Sequence, residues 1–136
     1  VKGLVAAGVL AEGEAPKDLA YPPLDPARGG RLAGDQVTAG DALVAAVAMG
    51  GYSATLLKGV TGSGKTEVYL EAVAECLRQA RQALVLLPEI ALTADFIARV
   101  EGRFGARPGE WHSGVTMTER RRLWRMAAAG DVGLVV

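Results

Sequence analysis

The apolar positions of the chain change period repeatedly. In "DQVTAGDALVAAVAMGG", Val37, Leu43, Val44 and Val47 fall on roughly one helical face. Asp35 stands where a cap belongs, and Gly50 and Gly51 can stop the helix. The apolar "ATLL" at 54–57 reads as a strand. Helical spacing resumes over 65–79 with Val68, Tyr69, Ala72, Val73, Cys76 and Leu77. "ALVLL" at 83–87 is continuously apolar, the pattern of a strand buried on both faces, and Pro88 ends it. Thr93 is the candidate cap of a helix carrying Phe96, Ile97, Val100 and Phe104, and "EWHSG" after it reads as a short strand and turn. Thr116 and Glu119 have capping-box spacing, and the helix they open carries Leu123, Trp124 and Met126 toward a core until Gly130 stops it. "VGLVV" at 132–136 is a further buried strand. Strands and helices in alternation, joined by short connections, predict an α/β fold with a mainly parallel sheet and helices on both faces.

The stretch before residue 32 has a different character. Residues 1–15 read as a helix end running into a short strand, and 16–31 hold Pro16, Pro22, Pro23 and Pro26 together with a Gly pair. Proline donates no ladder hydrogen bond and restrains the residue before it, so 16–31 is expected to be an extended connector with a domain boundary near residue 31. Val1 stands where a start Met would, and the last residues stop inside a predicted strand, so the chain reads as an internal piece whose sheet is incomplete at the C-terminal end.

Composition narrows the options. The chain has 136 residues, half of them hydrophobic, enough for one compact domain. Its 15 basic and 15 acidic side chains balance, so any polyanion must be caught locally. Cys76 is the single cysteine, which excludes an internal disulfide and fits a reducing compartment. No apolar run approaches the length of a membrane span, and no signal sequence opens the chain, so no membrane partner is expected and the expected location is cytoplasmic.

The densest chemistry lies in "GVTGSGKTEVY". Gly59, Gly64, Lys65 and Thr66 satisfy G-x-x-x-x-G-K-[ST] between a predicted strand and a predicted helix. Glycines let the backbone curl so that successive N–H groups face one phosphate, and the following helix adds its positive end. Lys65 can reach the β and γ phosphates, and the Thr66 hydroxyl can ligate Mg²⁺. The spacing specifies a nucleoside triphosphate rather than a dinucleotide, but kinases, GTPases, transporters and helicases all share it.

The surrounding residues are more specific. "GVTGSGKTEVY", "LLPEIALT" and "HSG" followed by "ER" and "W" occur here in an order and spacing that resemble the first motor lobe of the PriA family, the bacterial primosomal replication-restart helicases also called primosomal protein N′. The resemblance covers about residues 32–136 and implies a P-loop NTPase of the RecA-like helicase type. It implies a superfamily 2 ATP-dependent helicase moving 3′ to 5′ on single-stranded and forked DNA, with primosome and single-strand-binding proteins as partners and ATP and Mg²⁺ as cofactors. By the same resemblance Gly59, Thr61, Gly62, Ser63, Gly64, Lys65 and Thr66 form the nucleotide loop, with Lys65 and Thr66 catalytic. Gln36 resembles the adenine-reading glutamine, Pro88 and Thr93 in "PEIALT" resemble a segment that touches single-stranded DNA, and His112, Ser113 and Gly114 resemble a further DNA-contacting element. Residues 1–15 resemble the tail of a winged-helix module. The family's Mg²⁺-binding Asp-Glu pair, arginine finger, second lobe and zinc module have no counterpart here, which places them beyond Val136; zinc is implied only outside this chain. A chain without them is expected to bind ATP weakly and hydrolyse it negligibly. The alternatives are another superfamily 2 translocase, RecG-like or restriction-type, and a P-loop small-molecule kinase.

Plainer roles compete for several of these residues. Thr93 can simply cap, and Glu89, whose carboxylate repels phosphate, suits loop organisation better than DNA contact. His112 has no cysteine or carboxylate at triad or metal spacing and reads as structural. Arg120, Arg121, Arg122 and Arg125 suit a solvated helix surface, with Arg121 and Arg125 on one face. Trp111 and Trp124 can stack on bases, although apolar spacing makes Trp124 core-like. Cys76 is expected to act as a small hydrophobe.

Overall fold

The computed structural model describes residues 7–9, 19–88 and 90–136, with 90–93 described by backbone alone. The expected helix end and strand of 1–15, apart from a turn at 7–9, and the role of Glu89 lie outside the described residues. Helices α1 (Asp35–Met49) and α2 (Lys65–Arg78) are followed by β1 (Ala83–Leu84), α3 (Ile90–Phe104), α4 (Met117–Ala129) and β2 (Leu134–Val135).

The sheet is parallel, as expected, but small. Ala83 pairs with Leu134 and Leu84 with Val135. On the opposite edge of β2, Gly109 forms a parallel bridge to Val135, and the Trp111 amide donates to the Val136 carbonyl at 2.7 Å. The predicted strand in "EWHSG" is thus a short ladder at 109–111, and β2 is the central strand.

The predicted strand 54–57 is not formed. Residues 54–56 are exposed, Leu56 at 78%, and Leu57 is half-buried. A strand is held by its neighbour's amides and carbonyls, and no ladder partner stands beside 54–57 among the described residues. "ALVLL" is likewise not buried on both faces. Ala83, Val85 and Leu87 pack inward, whereas Leu84 and Leu86 are 64% and 82% exposed. Helices α2 and α3 close the inner face, where Leu70, Val73, Ala74, Phe96, Ile97, Val100 and Phe104 meet Leu134 and Val136. Helix α4 only flanks the outer face, leaving an apolar cleft of about 350 Å³ between Leu84, Leu86, Trp111, Leu123 and Trp124.

Local chemistry accounts for the helix ends. Gly64 and Gly130 adopt positive φ (76° and 83°) at the start of α2 and the end of α4, a backbone state that costs glycine little. Thr116 Oγ1 accepts from the Glu119 amide at 3.2 Å, the expected cap; the Glu119 carboxylate turns instead to Arg122. Asp35 is not a cap: it is the first helical residue, and Gly34 occupies the cap position with no side chain to offer. Thr93 is not a cap either, because α3 already begins at Ile90 and Thr93 is its fourth residue.

Three helical faces differ from their predicted composition. Val37 is 42% exposed, and the inward face of α1 carries Gln36, Gly40, Leu43, Val44 and Val47 instead. Gly40 is buried there because Leu32 lies where a β-carbon would go. Trp124 is 68% exposed, not core, since Leu123 and Met126 take the buried face of α4 and a residue one step along a helix points about 100° away. Leu70 and Ala74, absent from the predicted face of α2, are fully buried because they sit in the core with Val100, Phe104 and Leu134. Residues 19–30 run along the domain: Leu24 packs on the core, the Asp25 amide donates to the Phe104 carbonyl at 2.9 Å, and Arg122 reaches the Leu19 carbonyl.

Candidate nucleotide-binding site

The glycine-rich loop folds as its composition requires. Gly62 has φ of 80° and Gly64 of 76°, and the Ser63 amide closes a turn onto the Val60 carbonyl at 3.2 Å. Gly59 has no room for a β-carbon, because Ser63 Oγ would lie 2.7 Å from it. The amides of Gly62, Gly64, Lys65 and Thr66 make no hydrogen bond among the described residues. Four free donors at the mouth of a 14-residue helix form a seat for a phosphate.

Lys65 folds back over this loop. Its ammonium donates to the Gly59 and Val60 carbonyls, 2.8 Å each, so the cation sits inside the curl. Gln36, distant in sequence, arrives at the same place. Its amide donates to the Ser63 carbonyl at 2.9 Å and its oxygen accepts from the Ala33 amide at 3.2 Å. A β-carbon on Gly64 would meet the Gln36 amide nitrogen, so the end of that side chain would have to move aside. Packing of α1 on α2 makes this meeting. Thr61 and Gly62 are exposed at the rim, while Ser63 and Thr66 are half-buried. The Thr66 hydroxyl has no hydrogen bond among the described residues, and no group of three or more metal-ligating side chains occurs among them. One free hydroxyl suits Mg²⁺, which keeps much of its shell as water and phosphate oxygen.

The other predicted site residues lie elsewhere. Pro88 is exposed in the bend between β1 and α3, and Thr93 lies in the first turn of α3. His112, Ser113 and Gly114 form a turn closed by the Val115 amide on the His112 carbonyl (3.1 Å), and His112 Nδ1 accepts from the Gly114 amide at 3.1 Å. His112 is expected to have no carboxylate at triad or metal spacing, but Glu110 Oε2 lies 3.6 Å from its Nε2. Arg120 ties the turn to α4 through the His112 carbonyl at 2.6 Å and lies over the Trp111 ring, which in turn meets Trp124 at 6.3 Å. No hydrogen bond or ion pair joins this turn to the nucleotide loop among the described residues.

Residue types without a motif were missed. Glu67 pairs with Arg99 (3.2 Å) and Glu71 with Arg103 (3.0 Å), joining α2 to α3. Their one sequence signal is spacing, since each helix repeats its charge after four residues.

The family profile of DEAD/DEAH box helicases matches residues 38–136. The chain belongs to the DEAD/DEAH box helicase family. It is similar to the replication restart protein PriA of Bacillus subtilis, 46% identical over 81 residues, which is 60% of this chain and 10% of that protein. It is 43% identical over 86 residues to PriA of Haemophilus influenzae, covering 63% of this chain and 12% of the relative. Against PriA of Chlamydia pneumoniae the identity is 35% over 102 residues, 75% and 14% of the two. The chain thus spans between 10% and 14% of the length of these relatives. Family membership implies a RecA-like P-loop fold and, in general terms, nucleotide and Mg²⁺ use, and it removes the small-molecule kinase alternative. Among the described residues no helix is long and apolar enough to cross a membrane.

Proposed function

We propose that this chain is the nucleotide-gripping part of an ATP-dependent DNA helicase that moves 3′ to 5′ and serves replication restart and primosome assembly. The observation that carries this reading is the convergence of Lys65, four free loop amides and Gln36 at one helix mouth, in a helicase-family chain whose relatives are named replication restart proteins. The loop amides take phosphate oxygens, and Lys65 exchanges the Gly59 and Val60 carbonyls for the β and γ phosphates. Gln36 leaves the Ser63 carbonyl for the adenine edge, since an amide both donates and accepts. Thr66 would hold Mg²⁺, which supplies charge neutralisation between the phosphates when bound. Pro88, Thr93 and the His112 turn face the single strand, and forked DNA and primosome components are the substrates and partners of the whole protein.

The test uses the full-length protein on forked DNA. Unwinding is expected with ATP, and Lys65→Ala is expected to lower hydrolysis on the order of a hundredfold or more while leaving the circular dichroism unchanged. The 136-residue chain alone is expected to bind ATP weakly without turnover. Unwinding that survives Lys65→Ala, or turnover by the chain alone at the rate of the intact protein, refutes the reading.

A further inference from the structure

Helices α2 and α3 are joined by a ladder of charge. The outer rung is Glu67 with Arg99 at 3.2 Å, the side chains 36% and 56% exposed. The inner rung is Glu71 with Arg103 at 3.0 Å, and here the side chains are 19% and 4% exposed. Arg103 lends both Nε and Nη2 to one oxygen of Glu71, and its guanidinium lies over the Phe104 ring, 4.7 Å from the ring centre. Gly30 roofs the rung closely: a β-carbon there would lie 3.2 Å from Glu71 Oε1 and 3.4 Å from Arg103 Nε. Tyr69 and Phe96, ring centres 6.0 Å apart, brace the same two helices with an apolar contact.

The inner rung is expensive as a stabiliser. Arg103 Nη1 is buried with no hydrogen-bond partner among the described residues, so the guanidinium is desolvated and only partly satisfied. A well-packed apolar pair commonly does as well or better at holding two helices. What a paired charge adds is a fixed register between elements that bear different loads. Glu67 stands two residues after Lys65, about 3 Å along α2, and Arg99 stands six residues after Thr93, about 9 Å along α3. The rungs therefore connect the helix that carries the nucleotide loop with the helix whose first turn carries Thr93.

We propose that Glu67, Glu71, Arg99 and Arg103 are positioning residues that transmit contact with single-stranded DNA at the start of α3 to the nucleotide loop at the start of α2. The inference rests on the helicase reading of the two sites. A strand bound at the start of α3 shifts that helix, and the rungs oblige α2, with Lys65 and Thr66 at its tip, to follow.

The experiment measures ATP hydrolysis by the full-length protein with and without oligothymidylate, and affinity for a fluorescent ATP analogue without DNA. In Arg99→Gln, whose exposed site tolerates change, and in Arg103→Gln, the ratio of DNA-stimulated to basal hydrolysis is expected to fall about fivefold or more, the usual span of an allosteric coupling. Basal hydrolysis and analogue affinity are expected to stay within about twofold of wild type, well inside that coupling span. Exchange of the inner charges, Glu71→Arg with Arg103→Glu, is expected to recover part of the lost ratio. An unchanged ratio in Arg99→Gln, together with an unchanged ratio in a folded Arg103→Gln protein, overturns the coupling and leaves the helicase reading standing. Equal loss of basal and stimulated rates shows a merely structural role and also overturns it. A wild-type protein that no DNA stimulates removes the helicase reading, and the coupling with it.

Discussion

The two faces of the small sheet have nearly the same sequence character and opposite fates. Ala83, Val85 and Leu87 meet the side chains of α2 and α3, and Leu134 and Val136 are buried with them. Leu84 and Leu86, interleaved with the first set, stand 64% and 82% exposed beside Trp111 and Trp124. The difference is one of cover. Two helices, α2 and α3, close the inner face, whereas α4, which joins the 109–111 ladder to β2, reaches the outer face with little more than Leu123. Burial on a strand is set by what the rest of the chain brings to it, and an unbroken apolar run only permits it.

That contrast can be broken by paired substitutions. Phe104→Ala on the inner face removes a fully buried ring and is expected to cost about 3–5 kcal/mol in urea unfolding, whereas Leu86→Ala is expected to stay within about 0.5 kcal/mol. Comparable losses at the two sites would show that the outer face is covered in solution. A smaller effect tests the outer helix: Thr116→Ala removes the cap on Glu119 and is expected to cost about 1 kcal/mol, read as a lower unfolding midpoint with unchanged slope.

The finest measurement is on the inner side. Hydrogen bonds from Gln79, then Arg78, hold the Glu75 carboxyl below its ordinary range. A carboxyl with a lowered pKa stabilises the fold above its unfolded pKa, and that contribution is lost as pH falls through the folded value. A carbon-detected NMR titration is expected to show Glu75 ionising below an ordinary glutamate, and Gln79→Ala to return it upward. No change on that substitution would assign the shift to Arg78 alone.

Local chemistry made much of this legible in the sequence. The loop at 59–66 and the helix after it follow from glycine spacing and a 3.6-residue apolar period, and α4 begins at Thr116 and ends at Gly130 because a cap and a positive-φ glycine are local devices. Whatever depends on distant partners was not legible. Residues 54–57 have strand composition but no ladder, Trp124 lies one residue from a buried Leu123 and faces water, and Thr93 resembles a cap although α3 starts three residues earlier. Within the site, the loop could be found from its motif and Gln36 only from resemblance, because 27 residues separate it from the Ser63 carbonyl it meets. The rungs between α2 and α3 bridge 32 residues each and leave only a charge repeat in either helix.

Because those rungs run in the same sense along both helices, α2 and α3 lie side by side with their amino ends toward one rim, the end of α3 standing about 10 Å further out. Each amino end carries a fractional positive charge. On a chain whose formal charges cancel, this gives attraction toward an anion a direction without giving it bulk.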